Sequence, residues 1–389
     1  MAVSDLSSLD LLKRLVSFDT TSRNSNLGLI DFVEDFLDRQ GVDSIRVDYE
    51  SGSKTNLYAT IGPDIAGGIV LSGHTDVVPV DGQAWSSDPF KVTERKGLLY
   101  GRGAADMKGF IAVALASIPM FVEARLKRPI HLALSCDEEV GCRGVRPLIQ
   151  HMGAHLPAPQ AVIVGEPTQM RVVNAHKTAL SFETEVTGHE AHSSSAHQGV
   201  NAIMMAGELI HELSRIADEL KARGLSALGF DPPYTTVHVG TIAGGTAKNI
   251  VPRHCKFVWE TRLVPGEDPD EVPRRLRAAA DALLPAMKMI SLETGIATKL
   301  INIVPGLKPE QASLAEGLAL QLTKENATGV VSYGTEAGLF QEAGIPAIVC
   351  GPGSIDQAHK PDEFISLSEL ERCEEFMRRL AHYCAANAG

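Results

Sequence analysis

The sequence has no long hydrophobic run, few aromatic residues and few cysteines, and each shortage closes off a class of protein. No apolar stretch approaches the length of about 20 residues needed to cross a bilayer, so no membrane-spanning helix is expected. Cysteine occurs six times, with no Cys-x-x-Cys pair. A chain of 389 residues can bury its core without disulfides, so scattered thiols in a reducing compartment are expected. There is also no cluster of lysine or arginine, and the net charge is −12. A nucleic-acid or anionic-membrane partner would need basic surface and is not expected. Residues 1–16 lack a basic stretch followed by an apolar one and run into an amphipathic pattern at Leu9, Leu12 and Val16. No signal peptide is read there, and the expected location is the cytoplasm.

What remains is an ordinary globular balance, 44% hydrophobic and 22% charged, over a length that suggests two domains. Leu29, Val33 and Phe36 make a helical face ending at Gly41, and Ile111, Leu115, Ile118 and Val122 make another. Between and after them, Ile69–Leu71, His131–Ser135 and Ala161–Val164 read as short strands buried on both faces. This alternation predicts an α/β domain with a mostly parallel sheet. After Pro167 the texture changes. Ser181–Thr187, Thr235–Ala243 and Cys255–Leu263 alternate apolar and polar residues as half-buried strands do, and Met289–Ile303 looks extended. Two helical stripes intervene, at Leu209, Leu213, Ile216 and Leu220, and at Val272, Leu276, Ala279 and Leu283. The order β-α-β-β-α-β is ferredoxin-like. The α/β texture returns from about Leu314, with a strand at Ala347–Val349 and a last helix on which Ser366 and Glu369 have capping-box spacing. The expected architecture is thus a layered α/β/α domain, residues 1–176 and 305–389, interrupted by an α+β insertion, residues 177–304.

Five segments combine histidine or acid with turn-prone flanks: Gly73-His74-Thr75-Asp76, 101–109 with Asp106, Asp137-Glu138-Glu139-Val140-Gly141, Gly165-Glu166-Pro167-Thr168 and Ala358-His359-Lys360-Pro361. Four follow a predicted strand, and loops beyond the carboxyl ends of parallel strands converge on the ligand crevice. Two histidines with several carboxylates gathered there would suit a binuclear hydrolytic metal site. Singly, each has a plainer reading: His74 as a structural residue, Glu138-Glu139 as a solvated loop, Asp106 as a helix cap.

Jointly, the segments resemble the M20 metallopeptidase family, in its acetylornithine deacetylase and succinyl-diaminopimelate desuccinylase group. The stretch from His74 to Gly109, with Gly-His-Thr-Asp-Val-Val-Pro-Val and Gly-Arg-Gly-Ala-Ala-Asp-Met-Lys-Gly, is the most specific part. The resemblance implies two zinc ions per subunit, with cobalt or manganese as substitutes. His74 and Glu166 would hold one, Glu139 and His359 the other, and Asp106 would bridge them. Asp76 would accept the other N–H of His74, and Glu138 would be the general base. The insertion resembles the family's dimerisation lid, so a homodimer is expected. In it, His192 of Gly188-His189-Glu190-Ala191-His192-Ser193 would donate to the oxyanion. Asn249 and Arg262 match substrate-binding lid positions, where an arginine fork suits an α-carboxylate; a structural ion pair is the alternative for Arg262.

Residues 80–90, 333–341 and 350–355 resemble the acetylornithine deacetylase branch more than the desuccinylase branch. The implied reaction is hydrolysis of a small N-acyl amino acid, N-acetylornithine first, as in arginine biosynthesis. A desuccinylase, a broader acyl-amino-acid hydrolase or dipeptidase, and a non-catalytic metal-binding relative are the alternatives. Glu336 would attract a substrate's side-chain ammonium, or else cap the following helix. Thr178, Ser135-Cys136 and His197 depart from the family's usual wording, yet none removes a ligand or the base.

Overall fold

The computed structural model describes residues 6–49, 52–224 and 229–386. The chain divides into two compact units, Met1–Ala175 with Leu307–Gly329 and Thr335–Gly389, and His176–Gly306 with Val330–Gly334. The first unit is built on an eight-stranded sheet in which Lys54–Ile61, Ile130–Ser135, Ile69–His74, Ala161–Pro167 and Ala347–Gly351 lie side by side in that order. The last four run parallel to one another. Every residue of the strands Ile69–His74, Ile130–Ser135 and Ala161–Pro167 is buried. Continuous apolar runs do this when a parallel sheet is covered on both faces. Helix Lys108–Ala116 is apolar nearly all round and is buried from Lys108 to Leu115. Its Ile111 and Leu115 join Leu11, Leu15, Val33, Ile163, Phe376 and Leu380 in the main core.

The parallel register gathers the strand ends. His74 pairs with Ser135, and Ser72 pairs with Val164, so the carboxyl ends of these strands emerge at one edge. All six cysteines are buried free thiols. Among the described residues no helix is long and apolar enough to cross a membrane.

The second unit is a four-stranded antiparallel sheet in the order Thr236–Gly244, His254–Leu263, Thr178–Thr187, Gly295–Val304. With helices Ala202–Arg223 and Glu271–Ile290 this is the ferredoxin-like order expected. Strand His254–Leu263 alternates strictly, burying Cys255, Phe257, Trp259, Thr261 and Leu263. Trp259 stacks on Phe182 at 4.3 Å between ring centroids and donates its indole N–H to Thr184 Oγ1 at 3.0 Å.

Two local expectations are corrected. Met289 and Ile290 are helical rather than extended, because buried Met287 continues the stripe of Val272, Leu276 and Ala280, and the strand starts only at Gly295. At the last helix Ser366 caps Glu369 N at 3.1 Å, but the Glu369 carboxylate turns to Gly353 N and Arg372, so only half of the capping box forms.

Close packing next to Glu166 depends on two glycines. A Cβ on Gly351 would lie 2.0 Å from the Gly165 carbonyl oxygen, and one on Gly165 would meet the Phe110 ring at 2.1 Å. Backbone cannot yield as a side chain does, so Gly351→Ala is expected to destabilise the protein by about 3 kcal/mol. Gly153, inside helix Val145–His155, has open space around its Cβ position, and Gly153→Ala should stabilise by roughly 0.5–1 kcal/mol. Urea denaturation midpoints moving in opposite directions would bear this out; a neutral Gly351→Ala would refute it.

Candidate metal centre

Each candidate ligand arrives from its own element at the sheet edge. His74 is the last residue of its strand, Glu166 lies near the end of Ala161–Pro167, and Glu138 and Glu139 follow strand Ile130–Ser135 by a few residues. Asp106 closes the glycine-rich loop just before helix Lys108–Ala116, and His359 sits in the loop after strand Ala347–Gly351. The N-cap of that helix is Met107, with no side-chain cap, so the plainer reading of Asp106 falls away.

Asp106 is shared between the two histidines. Its Oδ1 is 3.1 Å from His74 Nε2, and its Oδ2 is 3.3 Å from His359 Nε2. Glu166 Oε1 approaches His74 Nε2 at 3.7 Å, and Glu139 Oε2 approaches His359 Nε2 at 3.0 Å. One donor atom from each of His74, Asp106 and Glu139 lies within 4.8 Å of the others, and the same holds for His74, Glu138 and Glu166. The tautomer of His74 follows from its second nitrogen. Nδ1 is 2.9 Å from the carbonyl oxygen of Asp76. A carbonyl only accepts, so Nδ1 carries the hydrogen and neutral His74 turns a bare Nε2 lone pair toward carboxylate oxygens. Either a proton on Nε2, which the neighbouring acids favour, or a metal cation satisfies these acceptors. This donor set of imidazole and carboxylate fits a divalent metal such as zinc.

The His74–Asp76 contact corrects one expectation. The backbone of Asp76, not its carboxylate, takes the imidazole N–H; Asp76 Oδ1 is 3.7 Å from Nδ1. The carboxylate has other work. Oδ1 accepts the N–H of Glu138 at 3.1 Å, Oδ2 accepts that of Glu139 at 3.2 Å, and Ser22 Oγ donates to Oδ2 at 2.6 Å. Asp76 therefore pins the glutamate turn. Lys54 holds the turn from the other side, through a 2.5 Å contact from Nζ to Asp137, whose φ is +54°. Glu138 is steadied further by the Cys142 thiol, which donates to Oε1 at 3.1 Å.

The acids strain electrostatically against one another. Burial, with Glu139 and Glu336 nearby and against the pull of His74, pushes Glu138 up to about 8. Burial and the Asp106 charge push Glu139 to about 7, and the same two causes lift Glu166 well above the usual carboxylate range. Burial would raise Asp106 too, but bonds from His359 and His74 hold it well below that range. His359 is lifted to about 10 by Asp106 and Glu139. Burial opposes charge on His74, yet Asp106, Glu166 and Glu138 raise it well above its ordinary value.

Glu336 departs from both readings offered for it. It is 1% exposed, accepts a hydroxyl hydrogen bond from Ser135 and another from Ser72 Oγ at 3.2 Å, and makes no side-chain cap. With both oxygens engaged beneath the sheet edge, it is a buried support rather than an open anion for a substrate. His192, Asn249 and Arg262 belong to the second unit. There His192 and Asn249 are neighbours: Ser193 N donates to the Asn249 carbonyl at 3.0 Å, and His192 bridges Ile250. Arg262 Nε meets Glu260 Oε1 at 3.2 Å, a side-chain ion pair along one face of its strand. Lys54 and Glu363 lie outside the segments that the sequence singles out, and Cys142, which flanks the acidic turn with Cys136, reads there as a packing thiol. Only the position of Glu363, four residues after His359, hinted at a role.

A family model described as peptidase family M20/M25/M40 matches residues 70–383. The chain belongs to this family. An acetylornithine deacetylase of Myxococcus xanthus is 37% identical over 386 residues, covering 96% of each chain, and one of Proteus mirabilis is 36% identical over 373, covering 95% of this chain and 93% of that one. Among solved M20 structures, a metallo-carboxypeptidase from Sulfolobus solfataricus superposes with a TM-score of 0.75 at 20% identity, over 97% of this chain and 99% of that one. A Bacillus subtilis protein described as a dinuclear metal-binding peptidase of the M20 family superposes at 0.66 and 16% identity, over 96% of both. These structures share the fold: a mostly parallel α/β sheet with a separate antiparallel sheet. The family places the chain among hydrolases that use metal.

The crowded carboxyls give a signed pH prediction. Glu138 and Glu139 have folded values, about 8 and about 7, above the ordinary 4.5. In chelator the folded state then holds more protons than the unfolded state, so these groups cost stability as pH rises through that window. A bound divalent cation would remove the cost. The stability gap between zinc-loaded and chelated protein, from urea midpoints, should widen steadily from pH 5 to pH 8. A gap that stays constant or narrows would contradict this.

Proposed function

We propose that the chain hydrolyses the amide bond of a small N-acyl amino acid, with N-acetylornithine as the favoured substrate, at a pair of divalent metal ions. The observation that carries the reading is Asp106, whose two oxygens face two histidines, each with its own glutamate. Relatives at 36–37% identity named acetylornithine deacetylase supply the substrate. His74 and Glu166 would hold one ion, Glu139 and His359 the other, and Asp106 both. Zinc suits these donors, and cobalt or manganese would substitute. When bound, such ions polarise a carbonyl and lower the pKa of water.

The remaining steps fall to the chain's own groups. Glu138 takes the proton of the attacking water and delivers it to the leaving amine. Cys142 occupies its Oε1, which leaves Oε2 for the transfer. His192 donates to the oxyanion, with Asn249 beside it. Arg262 offers its remaining guanidinium N–H groups to the α-carboxylate. The second unit serves as a lid through which two copies pair, and the enzyme works in the cytoplasm, in arginine biosynthesis.

Initial rates on N-acetylornithine, N-acetylmethionine and N-succinyl-diaminopimelate test the reading. Zinc-loaded wild type should prefer acetylornithine, and Glu138→Gln should lose at least about 100-fold in kcat while still binding metal. Preference for the succinyl substrate would replace the substrate; full activity of Glu138→Gln would remove the base. For Glu336→Gln the buried setting predicts equal losses on acetylornithine and acetylmethionine, roughly 10-fold each by analogy with other supports of a metal site. A loss confined to the cationic substrate would restore Glu336 to the substrate pocket.

A further inference from the structure

The ligands at the metal centre differ in what holds them. His74 and Glu166 lie within sheet strands, whose ladders fix them. Asp106 and His359 lie in loops, and His359 has a φ of +62°. Something other than the sheet must set the distance between these two.

Glu363 stands between the loops. Its carboxylate is 1% exposed. Oε1 accepts the backbone N–H of Ala105 at 2.9 Å and of Asp106 at 3.1 Å, while Oε2 accepts that of Gly103 at 3.0 Å. Gly103, at φ +79°, adopts the left-handed turn that lets three N–H groups point at one carboxylate. Oε2 also takes Arg102 Nη1 at 2.7 Å. Arg102 is itself 1% exposed and reaches back to the other loop, donating to the Lys360 carbonyl at 3.3 Å and to Gln83 Oε1 at 2.6 Å. Gln83 Nε2 then donates to the His359 carbonyl at 2.9 Å. The Gly101 N–H closes onto the Glu363 carbonyl at 2.9 Å. The bonds form a ring from Asp106 through Glu363, Arg102 and Gln83 to His359.

We propose that Glu363, acting through Arg102 and Gln83, is a positioning residue that sets the Asp106–His359 geometry and so the affinity of the ion held by Glu139 and His359. The inference rests on the two-metal reading. Charge alone would not need this arrangement, because an Arg102–Glu363 pair could be satisfied without three backbone N–H groups and without Gln83. With the clamp loosened, the strand-borne pair His74 and Glu166 keeps its place while the loop-borne pair drifts.

Calorimetric titration of metal-free protein with zinc tests this. Wild type should show two binding events, and His359→Ala should identify which one belongs to Glu139 and His359. In Glu363→Gln that event should weaken by about 10- to 100-fold, as lost supports of metal ligands usually do, while the other, which shares Asp106 but keeps the strand-borne His74 and Glu166, weakens distinctly less. Gln83→Ala removes the bonds to the His359 carbonyl, from Arg102 and from Trp85 but leaves the buried carboxylate of Glu363 intact. It should weaken the same event to a smaller degree, and it carries the test if Glu363→Gln does not fold. Wild-type affinities in the folded variants would overturn the clamp, and so would equal weakening of both events. A wild type that binds fewer than two ions would instead overturn the two-metal reading.

Discussion

Acidic side chains crowd one edge of the sheet, and holding them there against their mutual repulsion is the constraint on which the site depends. They fall into two groups by partner. Asp76 is satisfied by two backbone N–H groups and a serine, Asp137 by Lys54, Glu336 by two serines, and Glu363 by three N–H groups and an arginine. These carboxyls take their hydrogen bonds from groups of the protein, although burial still raises Glu336 and Glu363. The partners of Asp106, Glu139 and Glu166 are histidines, and Glu138 has a thiol. A buried charge keeps only what hydrogen bonds and opposite charge supply. The second group therefore marks where a cation belongs, and the first group is the frame that keeps it in place.

The fold supplies that frame cheaply. Parallel strands bring His74, Glu139, Glu166 and His359 toward one edge although they are far apart in sequence, because the carboxyl ends of their strands point the same way. Register does the rest. His74 opposite Ser135 sets the histidine strand beside the turn that carries the glutamates. Loops cannot inherit this precision, and the chain adds side-chain bonds wherever a ligand leaves a strand: Asp76 for the glutamate turn, Glu363 for the glycine-rich loop, Gln83 for His359.

Much of this was legible from residue order. Apolar runs located the buried strands, strict alternation located the second sheet, and the histidine and acid segments located the edge. Other features were not legible because they depend on which atom meets which. A motif places Asp76 two residues after His74, but whether its carbonyl or its carboxylate meets the imidazole depends on the local turn, and here the carbonyl wins. Glu363 bonds to Gly103 across 260 positions, and Glu336 to Ser72 across 264. No local period reports such pairs. The helix end at Ile290 was obscured for another reason. Met289 and Leu292 are apolar yet exposed, so their hydrophobicity imitated a strand that does not begin until Gly295.

Stability and chemistry meet at Glu138. Half-buried beside Glu139 and Glu336 and lifted to about 8, it would hold its proton through much of the neutral range in the absence of metal. A general base in that condition cannot accept another proton. Positive charge at His74, Glu166, Asp106 and Glu139 acts in the opposite sense, favouring the ionised carboxylate by the same Coulomb field that relieves the repulsion. Metal that would relieve the crowded edge would therefore also bring the proposed base into its working state. An edge with fewer acids would fold more readily without metal, but it would lose the coupling that ties an active base to an occupied site.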